Sequence, residues 1–132
     1  MRSPKRALSL AGALLAAASL STVARAVDET NFNFKTTKDL VEICSVEGEG
    51  EGAVEALLAC RAFIAATVQY HDAVSDRKKL KRLICYSPSA TLEDGRTAFV
   101  GWAKRNASDA KRMAEPPVVG VVRALAEVSP CK

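Results

Sequence analysis

The feature that constrains this 132-residue chain most is its set of four cysteines, at Cys44, Cys60, Cys85 and Cys131. Zinc sites use closely spaced pairs such as Cys-x2-Cys, whereas these cysteines are 16, 25 and 46 residues apart. A metal site is therefore not expected. In an exported chain, an even number of cysteines indicates disulfides. Four cysteines allow three pairings, and each pairing cross-links distant segments.

The N-terminus predicts export. Three basic residues lie within the first six, an apolar run follows at 7–20, and Ala24-Arg25-Ala26 is a small-x-small triplet. Together these are the parts of a secretory signal peptide. The apolar run is shorter than the ~20 residues that a transmembrane helix needs. We therefore expect a signal peptide at 1–26, cut after Ala26, and a single domain at 27–132 without stable membrane insertion; an uncleaved anchor is the alternative.

Cleavage would also remove the excess of positive charge. The chain has 19 Lys and Arg against 15 Asp and Glu, a net charge of +4. Four of those basic residues, and no acidic one, lie before position 27. The remaining chain is neutral, so no binding to nucleic acid through bulk charge is predicted. Acidic residues dominate 27–60 and basic residues dominate 61–132, so the two parts could pair with each other or attract a charged partner.

Hydrophobic periodicity predicts helices and no convincing strand. A first helix, KDLVEICS, is capped by Thr37 or alternatively by Thr36, and it aligns three apolar residues on one face. The longest helix is predicted at 53–74. Its apolar residues cover much of its circumference, which favours a central position in the fold.

Two further helices complete the pattern. One begins at the cap Thr91 and reaches about residue 105, and the last runs from Pro116-Pro117 to about Val128. The polar connection between them has room for one helical turn. The sequence thus predicts an all-α fold, a small bundle of four main helices with two disulfides. This arrangement favours Cys44–Cys60 and Cys85–Cys131 as the pairs.

Two charged segments lie outside the predicted helices. VEGEGEGA at 46–53 is typical of a solvated turn. A calcium loop is disfavoured there, because counting from Glu47 the twelfth position is Leu58 instead of a glutamate. SDRKKLKR at 75–82 is predicted to be a basic linker or a short turn, and a partner-binding patch is the second interpretation.

Catalysis is not predicted. Cys60 and the single histidine, His71, lie on one predicted helix but about 16 Å apart along its axis. A nucleophile and its base must lie within about 3 Å. His71 is instead interpreted as a helix-end residue beside Tyr70 and Asp72, with a binding role as the alternative. No nucleotide, hydrolase or metalloprotease motif occurs, so no cofactor is expected.

The chain resembles the Rap/Tai family of immunity proteins, which is associated with type VI secretion. The resemblance covers roughly 36–131 and rests on four segments in order: TTKDLVEIC, ALLACRAFIAATVQYHDA, RLICYSPSATLEDGRTAFVGWAKRN and VVGVVRALAEVSPC. The chain departs from the family pattern at Ala66, where Gly is usual, in the Cys85–Pro88 spacing, which is one residue longer, and at Asn106-Ala107-Ser108, where a His-Pro-Glu-like element is usual.

The resemblance implies a periplasmic, disulfide-bonded inhibitor, often a homodimer, that occludes a peptidoglycan-cleaving amidase effector. Carried onto this chain, it points to exposed residues at the end of the third helix and in the following connection. They are Lys104, Arg105, Asn106, Ser108, Asp109, Lys111 and Arg112. An ordinary solvated loop is the alternative for these residues. For the protein, the alternative is a periplasmic binding or chaperone-like module without an effector.

Overall fold

The computed structural model describes residues 27–132, apart from the side chain of Glu51. The predicted signal peptide at 1–26 lies outside the described residues. A short 3-10 helix at Glu29–Asn33 is followed by five α-helices. They are α1 (Thr37–Cys44), α2 (Glu51–Lys78), α3 (Leu92–Arg105), α4 (Ala110–Ala114) and α5 (Pro117–Val128). Within 27–132 the only β pairing is an isolated bridge between Ile84 and Pro130, which confirms the all-α prediction of four main helices.

Reciprocal caps fix where α1 and α3 begin. Thr36 accepts from the backbone N–H of Asp39 at 3.2 Å, and Asp39 accepts from the backbone N–H of Thr36 at 2.9 Å. Thr91 and Asp94 form the same box at α3. The preferred cap for α1, Thr37, was therefore wrong, and the alternative was right. Thr37 is fully buried, and its hydroxyl donates to the carbonyl of Glu115 at 3.0 Å.

All four long helices contribute side chains to one core. The large apolar contributors with 2% exposure or less are Leu40 and Ile43 from α1, Ile64 from α2, Phe99 and Trp102 from α3, Val121 from α5, and Ile84 from the α2–α3 connection. The helical contributors meet in one core because each helix carries apolar residues at three- and four-residue spacing on its inward face. α3 is held on that face by its two large aromatic residues.

Two disulfides close the fold, in the pairs that the helix arrangement favoured. Cys44–Cys60 joins the end of α1 to the first half of α2, with both residues fully buried. Cys85–Cys131 joins the connection before α3 to the C-terminus. In the loop-entropy description, bridges closing loops of 16 and 46 residues contribute about 3 and about 4 kcal/mol.

Two predictions about α2, its end and its central position, were wrong. It continues to Lys78, so the first part of the basic segment is helical and only 79–82 is linker. It is also not central, because it buries only one spine, formed by Ala56, Cys60, Ile64, Thr67 and Ser75. Val54, Leu58 and Tyr70 are 50%, 59% and 69% exposed. Apolar residues all around a helix predict burial on all sides, but here the domain covers one side alone.

α5 crosses α1 so closely that a side chain at position 120 has no room. A Cβ on Gly120 would lie 2.5 Å from Cγ2 and 2.8 Å from Oγ1 of Thr37. Thr37 cannot move aside freely, because its hydroxyl and its backbone N–H both donate to the carbonyl of Glu115. The glycine thus permits the α1–α5 contact.

We predict that Gly120→Ala lowers the free energy of unfolding by about 1–3 kcal/mol through overpacking. Gly101→Ala is the matched control, because a Cβ in that helix would meet only the end of Arg105 at 3.6 Å. It should raise stability by about 0.5–1 kcal/mol through helix propensity. Urea denaturation measures both changes. If Gly120→Ala is as stable as Gly101→Ala, the close approach is absent in solution.

Candidate partner-binding surface

The connection after α3 is held in a defined turn. The backbone N–H of Asn106 donates to the carbonyls of Trp102 and Ala103, each at 3.1 Å. Its side-chain amide donates to the Trp102 carbonyl at 2.8 Å. Trp102 and Ala103 are buried, so these bonds fix the connection to the core at the point where α3 ends.

A small polar cluster then sets the start of α4. Asp109 caps this helix by accepting from the backbone N–H of Arg112 at 3.0 Å. The Arg112 guanidinium returns to the side-chain oxygen of Asn106 and lies 3.2 Å from the Asp109 carboxylate. Met113 packs against the core from the following turn. The connection is therefore closed by its own hydrogen bonds and differs from a solvated loop of undefined shape.

The seven predicted contact residues divide into two groups. Asn106, Asp109 and Arg112 bond to one another, and Arg105 forms an ion pair with Glu127 at 2.6 Å. Lys104, Ser108 and Lys111 are exposed, and their side chains form no hydrogen bond or ion pair with any residue in 27–132. The first group shapes the surface, and the second presents two ammonium groups and a hydroxyl to solvent.

An ion-pair network anchors the other end of α3. Glu93 lies 2.6 Å from Arg96 and 2.9 Å from Arg61 of α2. Arg96 also donates to the carbonyl of Cys44 at 2.7 Å, at the C-terminus of α1. The Arg96 hydrogen bond, followed by that of Arg61, lowers the pKa of Glu93 to about 2. Glu93 and Arg96 together thus connect α3 to both α2 and α1.

His71 fastens the connection after α2 back onto that helix. The backbone N–H of Leu83 donates to its Nε2 at 3.1 Å, so Nδ1 carries the proton and donates to Asp72 at 2.9 Å. The second oxygen of Asp72 accepts from the Tyr86 hydroxyl at 2.8 Å. Burial opposes ionisation of Asp72, but the hydrogen bonds from His71 and Tyr86 prevail and lower its pKa. His71 thus links α2 to the connection that follows it.

An apolar groove of about 360 Å³ lies between α2, α3, α5 and the connection that joins α2 to α3. Ile64, Val68, Ile84 and Leu125 line it, with Gly95 where α3 approaches α2. Cys60 forms a disulfide with Cys44 and therefore has no free thiol to act as a nucleophile with His71.

The described residues offer neither a metal-ligating cluster nor strong evidence of a membrane span. No group of three or more potential metal-ligating side chains occurs in that part of the chain. One helix, Gly52–Lys78, is long and apolar enough to cross a membrane by length and composition. This is weak evidence for a span, because the core helices of soluble proteins meet the same criterion, and the same helix holds Cys60 and Ile64 in the core.

Residues 36–131 match the family model described as Rap1a immunity proteins. The chain belongs to this family. Neither the curated proteins nor the solved structures gave a match. Membership confirms the resemblance read from the four sequence segments, and it indicates an immunity function exerted through a partner effector. Proteins of this family are typically not enzymes.

The Rap1a match spans all five α-helices and the connection from Lys104 to Arg112. The role of the residues at 104–112 in binding stays a prediction. The sequence analysis did not identify Arg61 and Arg96 as partners of Glu93. Arg61 lies on a different helix from Glu93, so no local pattern indicates that pair. The charge pattern offered one signal, namely the three-residue spacing of Glu93 and Arg96 on a helix.

The Glu93 network predicts an acid-dependent loss of stability. The folded pKa of about 2 lies below the ordinary 4.5, so the network stabilises the fold above about pH 4.5 and loses this effect as the pH falls towards 2. We expect Glu93→Gln to lower the thermal midpoint at pH 6 but not near pH 2. Glu49→Gln, at an exposed carboxylate without a partner among the described residues, is the control. A stability difference between Glu93→Gln and the parent that is independent of pH would contradict the network.

Proposed function

We propose that this protein is a periplasmic immunity protein that binds a peptidoglycan-cleaving amidase effector of a type VI secretion system and occludes its active site. The observation that carries the proposal is the family match over 36–131. Residues 1–26 would be removed on export, leaving one domain at 27–132. The two disulfides support an oxidising compartment, because such bonds persist there and are rare in the cytosol.

Inhibition would proceed by occupation of the effector's cleft, without bond making or breaking by this chain. The surface proposed to enter it is the α3–α4 connection at 104–112. Because Asn106, Asp109 and Arg112 already hold that connection in shape, little conformational entropy is lost on binding. A preformed, rigid surface is what an inhibitor needs to reach high affinity with a modest interface.

Electrostatics would set which effector is recognised. Lys104 and Lys111 are the uncompensated charges of this surface, whereas Arg105 and Arg112 are paired with Glu127 and Asp109. Free charges at the rim of an interface mainly accelerate association and reject partners of like charge. The cognate effector is therefore expected to present acidic residues around its cleft.

We predict that Lys104→Glu combined with Lys111→Glu weakens effector binding at least tenfold, mainly by slowing association. Lys35→Glu combined with Lys132→Glu changes the net charge equally outside this surface and should leave affinity intact. Surface plasmon resonance with the amidase effector of the same genome, at low and high salt, measures the difference. Equal affinities for the two double variants would place the interface elsewhere.

A second copy of the chain is proposed to cover the outward face of α2. Only 28% of the helix's most apolar 18-residue window is buried. An exposed strip includes Leu58, Ala66 and Tyr70. Glu55 and Arg77 lie eleven residues either side of Ala66, and neither is paired among the described residues. Antiparallel packing of two α2 helices centred on Ala66 would align Glu55 of each with Arg77 of the other.

We expect Ala66→Glu to convert the dimer into a monomer, because two carboxylates would meet at its centre without a counter-charge. Ala114→Glu introduces the same group on an exposed position of α4 and should leave the dimer intact. Sedimentation velocity distinguishes the two states. If the parent protein sediments as a monomer at micromolar concentration, the α2 face has another role.

The alternative is a periplasmic binding or chaperone-like module that keeps the fold but has no effector. The groove between α2 and α3 is the observation that favours it, since apolar clefts accept exposed segments of other proteins. A strain lacking the gene discriminates the two functions. Sensitivity to sibling cells supports immunity, whereas envelope stress without such sensitivity supports the module.

A further inference from the structure

The segment 78–83, KKLKRL, carries features that effector binding does not use. Lys78, Lys79 and Lys81 are exposed and form no ion pair or hydrogen bond through their ammonium groups with any described residue. Leu80 and Leu83 are 57% and 54% exposed. Five of its six residues thus present either a free positive charge or an apolar side chain to solvent.

The fold holds this segment in a fixed shape. Lys79 ends α2 in the left-handed conformation with φ of 51°, and the backbone N–H of Leu80 donates to the carbonyl of Ser75 at 2.8 Å. At the other end, the backbone N–H of Leu83 is bonded to His71 at 3.1 Å. Arg82, between the two leucines, is turned to Asp76 at 2.8 Å. The exposure of the leucines therefore belongs to a structured turn and is not a property of a loose chain.

The combination of groups identifies the class of partner. Lysines alone would suit any polyanion, including nucleic acid or free phosphate, but neither offers an apolar phase for two leucines. An acidic protein surface would leave the leucines against polar groups. At a lipid bilayer, leucines enter the boundary between headgroups and acyl chains while lysines extend to the phosphates. Each lysine near an anionic surface adds to the affinity.

We propose that residues 78–83 dock the protein onto the surface of an anionic phospholipid bilayer. Leu80 and Leu83 enter the interfacial layer, and Lys78, Lys79 and Lys81 bind lipid phosphates. The contact is peripheral, since the remainder of α2 stays packed in the domain through Cys60 and Ile64. The proposal does not rest on the immunity function, although in an exported protein it would hold the inhibitor beside the membrane.

Flotation of the exported protein with lipid vesicles tests this directly. Vesicles of phosphatidylcholine mixed with phosphatidylglycerol should carry the protein to the top of the gradient, and vesicles of phosphatidylcholine alone should not. High salt should release most of it, because screening weakens the lysine contacts. Absence of flotation with the anionic vesicles at low salt would overturn the proposal.

Two sets of variants separate the roles of charge and apolar insertion. Lys78→Gln, Lys79→Asn and Lys81→Gln together should weaken binding roughly 100-fold, at about fivefold per charge. The control with Lys35→Gln, Lys38→Gln and Lys132→Gln removes three exposed lysines elsewhere and should bind like the parent. Equal losses in the two triple variants would show that net charge, and not this segment, causes binding.

Leu80→Ser combined with Leu83→Ser should weaken vesicle binding at least tenfold without changing the thermal midpoint, because both side chains are solvent-exposed. Leu80→Trp provides a second readout through its fluorescence. Because Trp102, the natural tryptophan, is only 2% exposed, any change in emission on adding vesicles comes mainly from the new, exposed tryptophan. Its emission should shift to the blue on adding anionic vesicles. Full binding by the serine variant together with an unshifted Leu80→Trp spectrum would reassign the segment to soluble polyanions.

Discussion

The Cys44–Cys60 bridge is the constraint on which the arrangement of the helices depends. It is fully buried, and it fixes the end of α1 against the first half of α2. The carbonyl of Cys44 also accepts from Arg96, so the same residue orients α3 through a charged hydrogen bond. With α1 placed, Thr37 can meet Gly120 of α5 at close range. A covalent bond between two neighbouring helices thus positions all four long helices of the described domain.

Because buried contacts hold the helices in place, their exposed surfaces remain available for binding. The α3–α4 connection is tied to the core through Trp102 and Met113, yet it presents Lys104 and Lys111 without partners among the described residues. α2 buries one spine and exposes the opposite side, and the segment after it presents leucines and lysines. The surfaces proposed for the effector, a second copy and a bilayer use different residues, so the three proposed contacts need not compete.

The sequence predicted the helices, the disulfide pairs and the extent of the family match well, because caps, periodicity and cysteine spacing are local or pairwise signals. It failed where the outcome depended on packing. Thr36 and Thr37 are both competent caps, and only the contact with Glu115 uses one of them elsewhere. An apolar helix does not reveal which face remains uncovered, so α2 was placed too centrally. The Arg61–Glu93 pair joins different helices, and no local pattern encodes such a meeting.

The most direct test of the central claim is hydrogen exchange of residues 27–132 with and without the proposed amidase effector of the same genome. The account predicts slowed exchange in the backbone amides of 104–112, beyond the protection that their own hydrogen bonds give, while the core amides of α1 and α5 stay unchanged. It also predicts loss of amidase activity at equimolar inhibitor. Unchanged exchange in 104–112 within an otherwise inhibited complex would contradict the proposed interface, and an uninhibited amidase would contradict the proposed function.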